Sequence, residues 1–73
     1  MNNNTQYLIE GISKDIILYL MEDNSMEMPE AIVLFYNSVT YEKLNDEATG
    51  LYIESSAYVY EILKSEMKMG KIV

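Results

Sequence analysis

Apolar residues recur at helical spacing near the start of the chain, at Ile9, Ile12, Ile16 and then Tyr19 and Leu20. This spacing predicts an amphipathic helix from about Thr5 to Asp23. Leu8, Ile17, Leu18 and Met21 widen the stripe. From Ile16 to Met21 the apolar positions run right round the helix, so this half is expected to be deeply buried or packed on two sides. Asn4 or Thr5 is the expected N-cap. Gly11 interrupts the pattern at a cost of about 1 kcal/mol relative to Ala, and we expect it to mark a close packing point.

The run Glu22-Asp23-Asn24-Ser25-Met26-Glu27 is polar enough to be a connection. Pro29 then suits the first turn of a helix, where its missing N–H would be unpaired anyway. That helix is expected from Pro29 to about Asn37, with Ile32, Phe35 and Tyr36 as its apolar face and Ala31 at a tight contact. Ser38 can cap a short element from Val39 to about Asn45, with Val39, Tyr41 and Leu44 turned inward. Residues 29–45 form either two helices or one kinked helix, and the pattern alone allows both. The cluster from Asn45 to Gly50 predicts a turn, with Gly50 at positive φ. Leu51-Tyr52-Ile53 is β-favouring but short, and is expected to be extended across the core. Ser55-Ser56 caps a last helix from about Ala57 to Met69 carrying Val59, Ile62, Leu63 and Met67 inward. Glu66 is the one polar intruder in this stripe. Lys64 and Lys68 complement the helix dipole, and Gly70 fits the C′ position.

These elements make one domain, residues 1–73, of the all-α class: a compact bundle of three to four short helices, with residues 1–5 and 70–73 as frayed tails. The expected core is Ile9, Ile12, Ile16, Leu20, Ile32, Phe35, Leu44, Val59, Ile62 and Leu63. A chain of this length has a thin stability margin, and small natural domains often gain a staple or a partner. With no Cys and no His, disulfides, thiolates and the commonest metal ligands are excluded. Self-association or a protein partner gains weight accordingly.

Charge changes the picture next. The chain carries 5 lysines, no arginine and 12 acids, a net charge of −7. Nucleic-acid phosphates are held mainly by Lys and Arg, so direct nucleic-acid binding is not expected. Residues 64–73 carry an excess of lysine, whereas the rest of the chain is strongly acidic. Such a field favours a basic protein partner. The longest apolar run is Ile16–Met21, six residues against the roughly 20 a spanning helix needs. No membrane segment is expected. The start of the chain lacks the basic region of a secretory leader, so the expected compartment is the cytoplasm.

Catalytic and cofactor chemistry finds no footing. Glu22, Asp23, Glu27 and Glu30 are close in sequence but lack the spacing and glycine of a calcium loop. Asp46, Glu47 and Glu54 lie around the Gly50 turn with no ligand pattern either. Ser55-Ser56 has no His to activate it and is better explained as a cap. Gly11, Gly50 and Gly70 are too far apart for a phosphate loop. The expectation is no enzyme, no cofactor and no metal.

Seven tyrosines are the more informative feature. Tyrosine joins a large apolar body to a polar tip and is enriched at interfaces. Tyr58 and Tyr60 flank Val59, so at least one must reach the surface of the last helix. Tyr36, Tyr41, Tyr52, Tyr58 and Tyr60, with Glu54 and Glu61, form the candidate partner surface. The methionines, flexible gap fillers that also suit adaptable binding surfaces, are expected mainly in the core.

The strings Pro29-Glu30-Ala31, Phe35-Tyr36-Asn37-Ser38, Tyr41-Glu42-Lys43-Leu44, Thr49-Gly50-Leu51-Tyr52, Ser56-Ala57-Tyr58 and Tyr60-Glu61 are similar to those of a group of small bacterial proteins. That group comprises acidic helical Firmicutes-type proteins of about this length, whose function is unknown. The resemblance spans most of the chain and carries no site residues with it. It implies a bacterial cytoplasmic origin. Because some such proteins are encoded beside toxin-like genes, it also implies an antitoxin-like or accessory role. The expected function is therefore a non-catalytic protein–protein interaction module that binds a basic partner or itself. The alternative is an acidic DNA mimic of phage or plasmid origin. That alternative calls for a regular row of carboxylates, and Glu10, Asp15, Glu30, Glu42 and Glu61 do not form one along the sequence.

Overall fold

In a computed structural model, residues 3–70 are described. They form four α-helices, α1 (Asn3–Asn24), α2 (Met28–Tyr36), α3 (Val39–Asn45) and α4 (Ser56–Lys68). Two single 3-10 turns, Glu47–Thr49 and Leu51–Ile53, join α3 to α4. Among the described residues there is no strand. The fold is the expected all-α bundle. At about 1.5 Å rise per residue, the 22 residues of α1 match the molecule's longest dimension, 33 Å. α2, α4 and the second 3-10 turn pack against α1, and α3 packs on α2, α4 and the 3-10 turns.

That side of α1 consists of Ile9, Ile12, Ile16 and Leu20, all buried, with Thr5 and Ser13 buried on the same stripe. Ser13 Oγ donates back to the Ile9 carbonyl at 2.8 Å, which keeps the stripe free of an unmet hydroxyl. The helix starts earlier than expected. Residues 3–5 are helical, and Thr5 lies inside α1 rather than at its cap or in a frayed tail. The ends at 1–2 and 71–73 lie outside the described residues. Gly11 is not a close packing point. A Cβ built there meets nothing within 4 Å, because residue 11 lies opposite the buried stripe, facing solvent with Leu18.

The α2–α3 region is two helices, not one. Ser38 adopts φ −85° and ψ 156°, extended values that break the helical run. Its side chain then caps the new helix by accepting the Tyr41 N–H at 3.0 Å. Phe35 and Ala31 are buried as the spacing required. Ile32 is not, and at 38% exposure it leaves the expected core. In α3 Leu44 is buried, but Thr40 is deeper than Val39 or Tyr41. Thr40 can be buried because Glu66 of α4 meets its hydroxyl.

Leu51-Tyr52-Ile53 is a 3-10 turn and not an extended segment. Gly50 takes φ 71°, and Thr49 Oγ1 accepts the Leu51 N–H at 3.2 Å, so the chain coils again at once. Leu51 enters the core and Ile53 stays exposed. α4 begins at Ser56, capped by Ser55, whose hydroxyl accepts the Tyr58 N–H at 3.1 Å. Val59, Tyr60 and Leu63 are buried, while Ile62 is only half-buried. Gly70 follows α4 at φ 76°, as its C′ position required.

Candidate interaction surface

Two charge-bearing side chains of α1 fix how α4 lies against it. Ser56 Oγ donates to Asp15 Oδ2 at 2.6 Å, and Tyr60 Oη donates to Asp23 Oδ2 at 2.9 Å. Tyr60 also stacks at a tilt on Tyr19, with ring centroids 5.0 Å apart. Burial pushes the Tyr60 hydroxyl pKa up to about 12, and the hydrogen bond to the Asp23 carboxylate adds to the effect. With 6% exposure, Tyr60 is a core residue and leaves the candidate partner surface.

The other predicted residues do not form one patch. Tyr58 is exposed on the first turn of α4, with exposed Glu61 one turn on and Glu54 just before the helix. Glu61 is paired to Lys64 at 2.9 Å. Tyr52 is half-buried in the second 3-10 turn. Among the described residues neither Tyr52 nor Tyr58 makes a ring contact with Tyr36 or Tyr41.

Tyr36 and Tyr41 do come together. Their ring centroids are 4.7 Å apart with the planes at 75°. Both stand on the buried Phe35 ring, at 5.5 and 5.2 Å. The break at Ser38 makes this possible, because it turns α3 back so that its first turn faces the last turn of α2. A shallow groove of about 530 Å³ opens there, lined by Tyr36, Asn37, Tyr41, Glu42 and Asn45 among others.

This groove continues into a surface that the sequence reading missed. Met28, Ile32 and Tyr36 follow one another at i, i+4 and i+8, and Val33 adjoins them. All four are exposed, Val33 at 62%. On a helix such residues share a face. The signal was present in the sequence, since Glu30 is the only charged residue of α2. A helix apolar all round that fully buries only Ala31 and Phe35, with Leu34 partly packed on the core, must show its other apolar residues to solvent. Glu27 and Glu30 are exposed at the start of this helix, and Glu42 lines the groove at its far end.

Glu66 ties α4 to the corner. Its carboxylate accepts the Val39 and Thr40 N–H groups, each at 2.9 Å, and the Thr40 hydroxyl at 2.7 Å. Burial alone would raise its pKa. The hydrogen bonds from Val39 and Thr40 outweigh that, and with help from the nearby Lys43 charge they hold the carboxyl below the usual glutamate value. The Ser38 hydroxyl donates to Phe35 O at 2.6 Å while accepting from Tyr41 N. Asn37 Nδ2 donates to Val33 O at 2.8 Å.

Among the described residues no three acidic side chains are grouped to hold a metal ion, and no helix is long and apolar enough to cross a membrane. Among the described residues every buried side-chain nitrogen and oxygen has a partner, so none of them is left aimed at a ligand. What this geometry offers chemically is contact area: an apolar helix face ending in a tyrosine-lined groove that Glu42 also lines. Comparison of the chain with protein-family models, curated proteins and solved structures finds no match.

Proposed function

We propose that this chain is a non-catalytic binding module whose α2 face receives a basic, partly apolar segment of a protein partner. The observation that carries the reading is the exposed run of Met28, Ile32, Val33 and Tyr36 on a helix that also exposes Glu27 and Glu30 at its start and ends at a groove lined by Glu42. A contiguous apolar patch with a polar rim marks interaction sites on soluble domains. Its charge selects the partner. With −7 overall and acids near the patch, a second copy would set like charges together, whereas a basic segment meets opposite charge. An inhibitor that covers a basic partner, in the manner of an antitoxin, is the most specific form of this proposal.

The test is an NMR titration of the isotope-labelled full chain with a basic amphipathic peptide and with its acid-substituted counterpart. Amide shifts at Ile32, Val33 and Tyr36 with the basic peptide alone, weakening as salt rises, support the reading. The exposed substitution Val33→Asp should abolish them without unfolding the protein. Shifts elsewhere, or equal binding by Val33→Asp, overturn it. Pull-downs washed at low and high salt then identify the natural partner.

A further inference from the structure

We infer that the corner between Tyr36 and Tyr41 is an anchor site for one alkylammonium or guanidinium group, carried by a lysine or arginine side chain of the protein partner. The inference rests on the binding reading above and names the chemistry at the far end of the same face. Two tyrosine rings at 75°, with centroids 4.7 Å apart, give the groove aromatic walls in two directions. A cation within about 6 Å of a ring centroid is attracted by the ring quadrupole. Glu42 lines the same groove and supplies the carboxylate. Asn37, whose amide nitrogen is engaged by Val33 O, keeps its side-chain oxygen as an acceptor.

Among the described residues no lysine lines the groove, and the chain has no arginine. Lys43, the nearest lysine in sequence, lines a separate small cavity with Thr40 and Glu66. Elsewhere the protein shows the interaction satisfied internally: Lys64 Nζ lies 5.2 Å from the Tyr60 ring centroid. Among the described residues that is the single such pair, so the rings of Tyr36 and Tyr41 remain available. The corner is also formed before any ligand arrives. Ser38, Asn37 and Glu66 pin the backbone on both sides of it, so little ordering cost is added on binding.

The test uses the labelled full chain and four probes: N-acetyl-lysine methylamide, N-acetyl-arginine methylamide, the uncharged N-acetyl-norleucine methylamide, and the basic peptide. The two cations and the peptide should shift Tyr36, Asn37, Tyr41 and Glu42, and norleucine should not. Tyr41→Leu and Glu42→Gln should each weaken peptide binding about three- to tenfold, while Tyr58→Leu should leave it unchanged. Should Tyr41→Leu lose its helical circular dichroism, Tyr36→Leu and Glu42→Gln, on exposed side chains, carry the comparison.

Equal shifts with norleucine, or unchanged affinity in Glu42→Gln together with an aromatic-to-leucine variant, overturn the inference. If the peptide binds at Ile32 and Val33 but leaves the corner untouched, this inference fails and the binding module stands. If the cations bind the corner while the peptide binds nowhere on α2, the module reading fails and the corner is a small-cation site. Free cations binding as tightly as the peptide would likewise overturn the assignment to a partner's side chain.

Discussion

Glu66 holds Thr40 by two atoms: its Oε1 accepts the Thr40 backbone N–H at 2.9 Å and the Thr40 hydroxyl at 2.7 Å. The other carboxylate oxygen takes Val39 N–H at 2.9 Å. A side chain of α4 thus satisfies the first two N–H groups of α3. Ser38 Oγ takes the third, from Tyr41, and the N–H of Ser38 itself, the cap residue, donates to Phe35 O at 3.0 Å. All four donors that a helix leaves open at its start are met here.

Removing that carboxylate should be costly. Glu66→Ala is expected to lose about 1–3 kcal/mol, the range for a buried donor set deprived of a charged partner. The pH dependence has a defined sign. The folded pKa of Glu66 lies below its ordinary value of 4.5, so its contribution is complete above that value and disappears as pH falls through the lowered folded pKa. Chemical denaturation from pH 7 down to pH 3 should show wild type losing more stability than Glu66→Gln. Parallel curves for the two would refute the assignment.

Tyr60 gives the opposite sign. Its folded pKa is about 12 against 10.0 for a free tyrosine. The stabilisation is therefore present below pH 10 and is lost as pH rises from there through 12. Ultraviolet titration of phenolate should show one of the seven tyrosines ionising late or only on unfolding. Tyr60→Phe removes the bond to Asp23 and should cost about 0.5–1.5 kcal/mol near neutral pH, with the late phenolate gone.

The two faces of α1 can be separated by a matched pair of substitutions. Ile16 is fully buried and Leu18 is exposed. Ile16→Asp places an unpaired carboxylate in the core and should unfold the protein, a loss of several kcal/mol. Leu18→Asp should change stability by no more than about 0.5 kcal/mol. Thermal melts followed by circular dichroism decide both.

Two backbone positions should yield stability gains. Gly11 lies in α1 with open space around its missing Cβ, so Gly11→Ala should stabilise by about 0.5–1 kcal/mol. Ser25, just after α1, takes φ 55°, a left-handed conformation that costs a residue with a Cβ about 1 kcal/mol. Ser25→Gly should recover part of that. A lower melting temperature in either variant would contradict the geometry.

Much of the architecture was legible along the chain, because its signals are local. Ser38 and Ser55 cap N–H groups three residues on with their hydroxyls, Pro29, Gly50 and Gly70 act through their own backbone, and the isoleucine spacing of α1 sets its own buried face. What the sequence hid depends on partners distant along the chain. Glu66 disturbs an apolar stripe until α3 is placed against it, 26 residues away from its partner Thr40. Tyr60 could be sorted from Tyr58 only once Asp23 lay opposite it. α2 failed for another reason: a helix apolar all round has no phase, so Ile32 could be assigned inward as readily as outward. The candidate site inherited that error. Tyr36 and Tyr41 were found, but the neighbouring Met28 was counted as filler, Ile32 as core, and Val33 was passed over.

The shortness of α3 carries a last consequence. An isolated helix of fewer than about 12 residues is unstable in water, and α3 has seven. Its start is completed by groups from Ser38 and from Glu66 near the other end of the chain. The helix that supplies Tyr41 and Glu42 thus has no independent existence. It is expected to form as α4 and its other packing partners dock and to be lost with them. Amide exchange in α3 should accordingly proceed at the rate set by global opening rather than by local fraying. The fraction of molecules that present the tyrosine corner is then the fraction that is folded.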